Sequence, residues 1–451
     1  MIKLLWEKLL TTIWFIPTII STALVISAIA LLYFDQQAGV YHWSWTNAFQ
    51  IGTFGIRQVL AVTTGAIISL TGVVFSISVV ALTLAANQFG SKILHSFLRD
   101  TKNKVVLGLL VGSFLFGLTL LAFIDTHPDS AQHLPIISFI GSLLLTVFAV
   151  IGLIYFTHNI STTIQADQII SLIGQELNQT IEETLFDLDV QQIIQSSAQK
   201  WNIATHPMQS ETVLATTSGY AEYIDLPRLV NIAEKENQHI ELLLRPGDFI
   251  IENSPIINVY HADDINEAHK HMLTLCISLG RKRTPFNDLE FAIMQLLQIA
   301  LRALSPGIND SLTAISCIDW LSSSLGRMAN KNFPLDYLED QGGIIRIKKR
   351  GFEFTDAANT MFHPLRQNAI GNEMVLIHLL ETISRILLVS KKHHYSEALF
   401  NHAKLILEAS NESLRSASDK KEIIKRFEKC EKIYEQRQAK FADINKPIFD
   451  S

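Results

Sequence analysis

Two short polar segments carry the residue types best suited to binding chemistry. In the first, the basic triplet Arg281, Lys282 and Arg283 stands directly before Thr284-Pro285, a residue pair typical of a helix start. Cations beside a helix N-terminus can recognise the phosphate group of a nucleotide or a lipid head. The alternative is a solvated strand end that binds nothing. Both interpretations stay open at the level of sequence.

The second polar segment is the turn 306–310, which reads Pro-Gly-Ile-Asn-Asp between two helical patterns. Asn309 and Asp310 are both preferred N-cap residues, so capping of the following helix is the simplest interpretation. A polar turn at a helix start can also bind an anion or contact a partner subunit. The two helices that it links are expected to form a tight hairpin.

Catalytic and metal-binding motifs are absent from the sequence. It has no Gly-rich phosphate loop, no Gly-x-Ser-x-Gly elbow and no His-Glu-x-x-His helix. His269 and His271 would point to different faces of a helix, which argues against a shared metal ion. The cysteines at 276, 317 and 430 are far apart and are expected to be reduced. We therefore expect no cofactor and no metal, and an enzyme is a minority hypothesis.

Four segments of the 451-residue chain are long and apolar enough to span a bilayer. None contains Asp, Glu, Lys or Arg, and a bilayer core requires about 20 apolar residues in a helix. Because backbone groups in lipid must be satisfied within the segment, helices are the structure expected. The segments are 12–34, 59–85, 105–124 and 134–157.

The charges of the segments that connect the four spans predict the orientation of the chain in the membrane. Short cytoplasmic loops collect Lys and Arg. Basic residues occur before the first span and between the second and third, whereas residues 35–56 contain none, and Arg57 is the one counterexample. This balance predicts a multi-pass protein of a bacterial inner membrane with both termini in the cytoplasm. The residues concerned are Lys3, Lys8, Lys92, Arg99, Lys102 and Lys104.

The second span differs from the others because small and polar residues recur on it at three- and four-residue steps. One interpretation is close helix packing through small side chains, and the other is the wall of a water-filled path. The third and fourth spans are apolar on nearly every face and are expected to be peripheral. We also expect a homo-oligomer, in which this stripe is buried. The stripe consists of Gly65, Ser69, Gly72, Ser76, Thr83 and Asn87.

The remainder of the chain has the pattern of a water-soluble domain. The acidic excess of the chain, whose formal net charge is −6, lies after residue 160, which argues against nucleic-acid binding. Apolar alternation predicts strands near 212–217, 221–224, 240–244, 248–251 and 256–260, and Asp225 with Pro227 predicts a helix start. The fold class is thus an α-helical membrane domain with four transmembrane helices followed by an α+β cytoplasmic domain. Its expected parts are the membrane domain (1–160), a helical stalk (161–210), a small β-rich subdomain (211–262) and a mainly helical domain with an amphipathic C-terminus (263–451).

Two stretches of sequence resemble a known family. They are GVVFSISVVALTLAANQFGSKILHSFLRD at 72–100 and LRALSPGINDSLTAISCIDWL at 301–321. On these motifs, the chain resembles a family of predicted bacterial membrane proteins classified as a domain of unknown function, over nearly its whole length. Ser311 departs from the proline that the resemblance implies after Asn309-Asp310, which makes the turn less rigid. The resemblance supports the predicted membrane topology and implies no biochemical activity.

Three classes of function follow from these patterns. The first is an oligomeric channel or transport-related assembly with a regulatory cytoplasmic domain. The second is a membrane-anchored sensor or scaffold without a pore, and the third is an enzyme that uses the cytoplasmic domain. The residues do not identify an ion, a solute or a ligand.

Overall fold

The protein, described here from a computed structural model, divides into two compact units, Met1–Ile169 and Ile170–Ser451. The described residues are 12, 14–37, 53–89, 101–126, 135–163, 165–187, 201, 209–261, 265–284 and 288–444. Four helices of the first unit are long and apolar enough to cross a membrane, as predicted. They are α1 (Phe15–Gln37), α2 (Thr53–Phe89), α3 (Thr101–Thr126) and α4 (Ile136–Thr163). Of the basic residues used for orientation, Lys3, Lys8, Lys92 and Arg99 lie outside the described residues.

Two clusters of buried apolar side chains join the four helices. In the first cluster, Leu60 of α2, Phe116 of α3 and Phe139 of α4 pack together. The second cluster includes Leu110 of α3 and Phe156 of α4. Lipid chains are as apolar as these side chains, so the helices associate through close packing rather than through removal of apolar surface from water.

The central helix of the first unit is α3, and the expectation that it is peripheral was wrong. A larger share of α3 is buried than of α1, α2 or α4. A Cβ added at Gly112 would lie 3.1 Å from the Cα atom of Ser21, and one added at Gly117 would overlap the hydroxyl of Thr64. Together with Gly108, these glycines allow neighbouring helices to approach α3 closely. Apolar composition alone does not distinguish a side chain that faces lipid from one that faces a helix.

Three sheets form within the described ranges of the second unit. The largest has the order β2 (Gln209–Leu214), β6 (Pro255–His261), β4 (His239–Leu242), β10 (Ile345–Lys349) and β9 (Tyr337–Glu339). The second has the order β5 (Phe249–Ile250), β3 (Gly219–Ile224) and β7 (Ile277–Gly280), and the third pairs β1 (Phe186–Asp187) with β8 (Lys331–Asn332). In the largest sheet, β4 and β10 are parallel, with Ile240 opposite Ile347.

The alternating segments found in the sequence are confirmed as strands β2 to β6. Their inward residues, among them Val213, Ile240 and Val259, are buried in one apolar cluster that also includes Ile347 of β10. Gly247, in the turn before β5, has a φ of 94°, a conformation that favours glycine. The sheet is therefore built from two stretches of chain that are far apart in sequence.

The described part of the second unit also contains helices. They are α5 (Ala166–Thr184), which begins in the first unit, α6 (Leu226–Lys235), α7 (Glu267–Thr274), α8 (Leu289–Ala303), α9 (Ser311–Met328), α10 (Phe354–Asn368), α11 (Glu373–Val389), α12 (His393–Ser413) and α13 (Ala417–Ile444). The predicted start of α6 is confirmed, since the Asp225 carboxylate accepts from the backbone N–H of Arg228 at 3.1 Å. The predicted hairpin is also confirmed, because α8 packs on α9.

The start of α8 lies at Leu289, and the expectation of a start at Thr284 was wrong. Asp288 caps this helix by accepting from the backbone N–H of Phe291 at 2.9 Å. Aspartate and threonine are both good N-caps. Only Asp288 is also held by a cation, because the Nε of Arg283 lies 2.6 Å from its carboxylate. That ion pair fixes the capping side chain, and local sequence did not reveal it.

The C-terminal segment is helical as predicted, but it is divided into α10, α11, α12 and α13. Gly371 has a φ of 78°, and Asn372 after it caps α11. The last helix, α13, packs on α11 and α12, and the rings of Phe400 and Tyr434 stack there with centroids 4.2 Å apart. These turns fold a long amphipathic sequence into a compact helical bundle.

Candidate functional site

The small-residue stripe lies on the exposed surface of α2 within the first unit. No described atom lies within 4 Å of a Cβ added at Gly65 or Gly72. The buried side of α2 is formed by other residues, including Leu60, Ile67 and Val74. The stripe is therefore not the surface on which this chain packs its own helices. Its members Gly65, Ser69, Gly72, Ser76, Thr83 and Asn87 are all exposed.

Hydroxyl groups of the stripe bond to the helix that carries them. The Oγ of Ser69 donates to the carbonyl oxygen of Gly65 at 2.9 Å, and the hydroxyl of Thr83 donates to that of Val79 at 2.8 Å. A donor satisfied in this way can face either an apolar neighbour or water without a lost hydrogen bond. The geometry is compatible with both interpretations of the stripe, helix packing and a water-filled path.

The basic triplet is divided in the structure. Arg281 and Lys282 are exposed after β7. Arg283 is partly buried and forms ion pairs with Asp288 at 2.6 Å and with Glu290 at 2.9 Å. A guanidinium that donates to two carboxylates has few N–H groups left for a phosphate. Anion binding at this segment therefore depends on Arg281 and Lys282, and it stays a prediction.

The turn before α9 has the capping geometry expected from its sequence. The Asp310 carboxylate accepts from the backbone N–H of Thr313 at 3.0 Å and from its hydroxyl at 2.6 Å. These hydrogen bonds lower the pKa of Asp310 below that of an ordinary aspartate. Asn309 has a φ of 49°. Ser311, where the resemblance implied proline, accepts from the amide of Asn372 at 2.7 Å and so connects this turn to α11. A role for Asn309 and Asp310 in anion or subunit contact remains a prediction.

A cavity of about 560 Å³ lies in the second unit, and no sequence pattern indicated it. Its walls come from the end of α5 and β1, from the junction of β3 and α6, from β4, from the start of α8, and from β9, β10 and the segments beside them. They are mainly apolar, and Leu242, Leu244 and Leu289 are buried residues that contribute to them. This volume falls within the range of small-molecule sites, roughly 300–1,000 Å³.

One lysine faces this apolar cavity from the end of β10. Lys349 is half-buried among the cavity walls, and its backbone N–H donates to the carbonyl oxygen of Asp336 at 2.7 Å. Burial lowers the pKa of the Lys349 ammonium, while the charge of Asp336 acts in the opposite direction. Among the described residues, no carboxylate lies within ion-pair distance of its Nζ atom.

The charged side chains at the start of α8 are already paired with arginines. Arg245 forms an ion pair with Glu290 at 2.9 Å, and its guanidinium lies 5.7 Å from the centroid of the Phe352 ring. Arg283 holds both Asp288 and Glu290. A side chain cannot replace the hydrogen of nearby Gly247, because its Cβ would overlap this ion-pair network. The two arginines and the two carboxylates of this network balance one another in charge.

The alternation of β10 was the signal that could have revealed Lys349. Ile347 and Lys349 are two residues apart in the part of β10 that pairs regularly with β4, so they project from the same side of the strand. Ile347 is buried, which places the lysine on the apolar side. A lysine two residues after a buried isoleucine of the same strand is therefore a candidate binding residue.

The four apolar helices and the mixed second unit define a predicted membrane protein with four candidate spans. Residues 11–385 match the family described as predicted membrane protein, DUF2254, and the chain belongs to this family. Uncharacterized proteins of Mycobacterium tuberculosis and Mycobacterium bovis are each 26% identical to the chain over 339 residues, 73% of this chain. The chain spans 63% of the length of these relatives. No solved structure matches it.

Proposed function

We propose that the protein is a homo-oligomeric channel or transport-related assembly in which α2 lines the shared axis. The observation that carries this proposal is the exposure of the small-residue stripe, including Gly65 and Gly72, on the surface of a single chain. The glycines of α3 serve packing inside the chain, whereas no described atom lies within 4 Å of a Cβ added at Gly65 or Gly72 of α2. A surface of small residues in lipid is best buried by association with another helix of the same kind.

A ring of α2 helices would also account for the hydroxyl groups of the stripe. Ser69 and Thr83 can face water as readily as a neighbouring helix. The valines beside them are exposed, with Val79 at 61% and Val80 at 60% of their full accessible area. Such apolar side chains next to a polar stripe would close an aqueous path by dewetting.

The proposed orientation rests on loop charge. Basic residues are concentrated before α1 and between α2 and α3, so these segments are assigned to the cytoplasmic side of an inner membrane. Both termini and the second unit then lie in the cytoplasm, where the second unit regulates the assembly. Fusion of a reporter enzyme after Ser451 tests this orientation, and reporter activity outside the membrane would contradict it.

Flux from liposomes that contain the full chain tests the channel function directly. A Ser76→Cys variant is treated with a water-soluble thiol reagent, and we expect both modification of the thiol and a change in flux. Ile151→Cys on α4, whose side chain is 54% exposed, is the control for a lipid-facing position. The unsubstituted protein controls for Cys276, Cys317 and Cys430, which are buried. Absence of flux, with an inert introduced thiol in an intact Ser76→Cys variant, would contradict the proposal.

The second candidate, a membrane-anchored sensor without a pore, is favoured by a different observation, the cavity in the second unit. A sensor requires a ligand site, and a preformed apolar cavity with a charged group supplies one. An enzyme is the third candidate. Among the described residues, no cluster of three or more His, Cys, Asp or Glu could hold a metal ion.

A further inference from the structure

We propose that the cavity of the second unit binds an aliphatic carboxylate of the fatty-acid type, with its carboxylate against Lys349 and its chain along the apolar walls. This inference is independent of the proposed channel function, because it concerns binding within the second unit alone. It rests on the volume of the cavity, on its apolar lining and on a half-buried cation that has no ion-pair partner among the described residues.

The apolar lining of the cavity favours a ligand with an aliphatic chain. Ile224, Leu242, Leu244, Leu289, Leu338 and Phe352 line the space. Ile224, Leu242 and Leu244 also belong to the apolar cluster between the sheets, so this part of the wall is fixed by the core. An aliphatic chain gains free energy here in proportion to the apolar area that it removes from water.

The charged side chains at the cavity determine which anionic head group the ligand carries. Arg245 donates to Glu290, and Arg283 donates to Asp288 and Glu290, so carboxylates already balance both guanidinium charges. A phosphate monoester carries a charge of about −1.5 to −2 near pH 7, so one ammonium would leave part of it uncompensated in an apolar cavity, whereas it balances the single charge of a carboxylate. Lys349 therefore favours a carboxylate over a phosphate as the anionic group. Arg350, which also lines the cavity, is exposed and can add long-range attraction at its entrance.

The protonation of Lys349 couples binding to pH. Other charged groups that line the cavity are Glu183 of α5, Arg350, and the paired Arg245, Asp288 and Glu290; Asp336 lies outside the lining, and its charge acts on Lys349. Burial favours the neutral amine in the empty cavity, and a bound carboxylate favours the ammonium. Binding of the carboxylate is therefore strongest below the pKa of Lys349 and weakens as pH rises through it. Because that pKa is lowered, the loss begins below the pH at which an ordinary lysine titrates.

Equilibrium binding to the full chain in lipid nanodiscs tests the proposal, with empty nanodiscs subtracted. The probes are decanoate, decyl phosphate and decanol, which share a chain and differ in the head group. We expect saturable binding in the order decanoate, decyl phosphate, decanol. Preference for decyl phosphate would identify a phosphate site and overturn the carboxylate assignment, and equal binding of decanoate and decanol would exclude a role for the charge.

A pair of variants on the same strand separates the role of Lys349 from general effects of charge. Lys349→Met should weaken decanoate binding by roughly tenfold or more and leave decanol binding unchanged. Lys348→Met is the matched control, because Lys348 forms an ion pair with Glu241 and does not line the cavity. Equal decanoate binding by both variants and the unsubstituted chain would overturn the proposal.

A cavity-filling variant provides a second, independent readout. Leu338→Phe adds volume at the wall without changing charge, and it should weaken decanoate and decanol binding alike. Circular dichroism and the melting temperature establish that the variant is folded. If decanoate binds a folded Leu338→Phe variant and the unsubstituted chain equally, the ligand lies elsewhere and the proposed site is wrong.

Discussion

Asp35, in the last turn of α1, caps the start of α4 through Ser138. Its carboxylate accepts from the Ser138 hydroxyl at 2.6 Å and from the Ser138 backbone N–H at 3.0 Å. It also accepts from the backbone N–H of Ile137 at 3.2 Å. Asp35 and Ser138 are both buried, and the interaction joins the end of one candidate span to the beginning of another.

Replacement of Asp35 by alanine should destabilise the first unit. The change leaves the first N–H groups of α4 and the Ser138 hydroxyl without their acceptor, which costs about 1–2 kcal/mol. The melting temperature of the full chain in detergent measures the loss. Asp35→Asn keeps one carbonyl oxygen as an acceptor, so it should lose less. Equal melting temperatures for Asp35→Ala and the unsubstituted chain would show that the cap contributes nothing.

Gly174 of α5 contacts Trp320 of α9 so closely that Gly174→Ala should destabilise the second unit. An added Cβ would overlap the indole ring, and overpacking of this kind costs about 1–3 kcal/mol. Gly326→Ala is the matched control within a helix, because its Cβ would lie 3.7 Å from Val389, an ordinary contact. That control should be neutral or stabilising, since alanine favours helix more than glycine does. Thermal unfolding compares the two, and a smaller loss in the Gly174→Ala variant than in the control would contradict the predicted overlap.

Gly72→Ile should separate oligomer formation from folding of the single chain. No described atom lies within 4 Å of a Cβ at this position, so the variant should fold normally and lose self-association. Mass photometry in mild detergent measures the assembly. Gly112→Ile, whose Cβ would overlap Leu24 of α1, should instead reduce the melting temperature. An unchanged oligomer in the Gly72→Ile variant would place the subunit interface elsewhere.

His402 of α12 should make the second unit less stable in mild acid. Its Nε2 lies 3.0 Å from the amide oxygen of Asn359, and burial, together with the charge of Arg366, lowers its pKa to about 4. The unfolded chain therefore binds more protons below pH 6.5, and stability falls as pH drops toward 4. Between about pH 7 and pH 4.5 this loss amounts to roughly 2–3 kcal/mol.

The pH dependence of unfolding in two variants isolates the contribution of His402. His402→Gln should be less sensitive to acid over this interval than the unsubstituted chain, because it removes the buried imidazole. His271→Gln, a change at an exposed histidine of α7, should keep the original sensitivity. Parallel curves for His402→Gln and the unsubstituted chain would show that His402 does not titrate as described.

Local sequence patterns are enough to predict the features that depend on neighbouring residues. The four apolar segments, the strands β2 to β6 and the caps at Asp225 and Asp310 were all predictable, because each follows from local periodicity or from one side chain and a nearby backbone N–H. Orientation and the role of the exposed stripe on α2 remain predictions.

Features that depend on contacts between distant residues could not be predicted from local patterns. The parallel pairing of β4 with β10 brings Lys349 to the wall of an apolar cavity, and no local pattern specifies that pairing. Gly112 and Gly117 make α3 the central helix through contacts with α1 and α2, which are remote in sequence. Arg283 holds Asp288 as the cap of α8 through an ion pair that helix propensity does not encode. Periodicity predicts which side of an element is apolar, but not which other element will cover it.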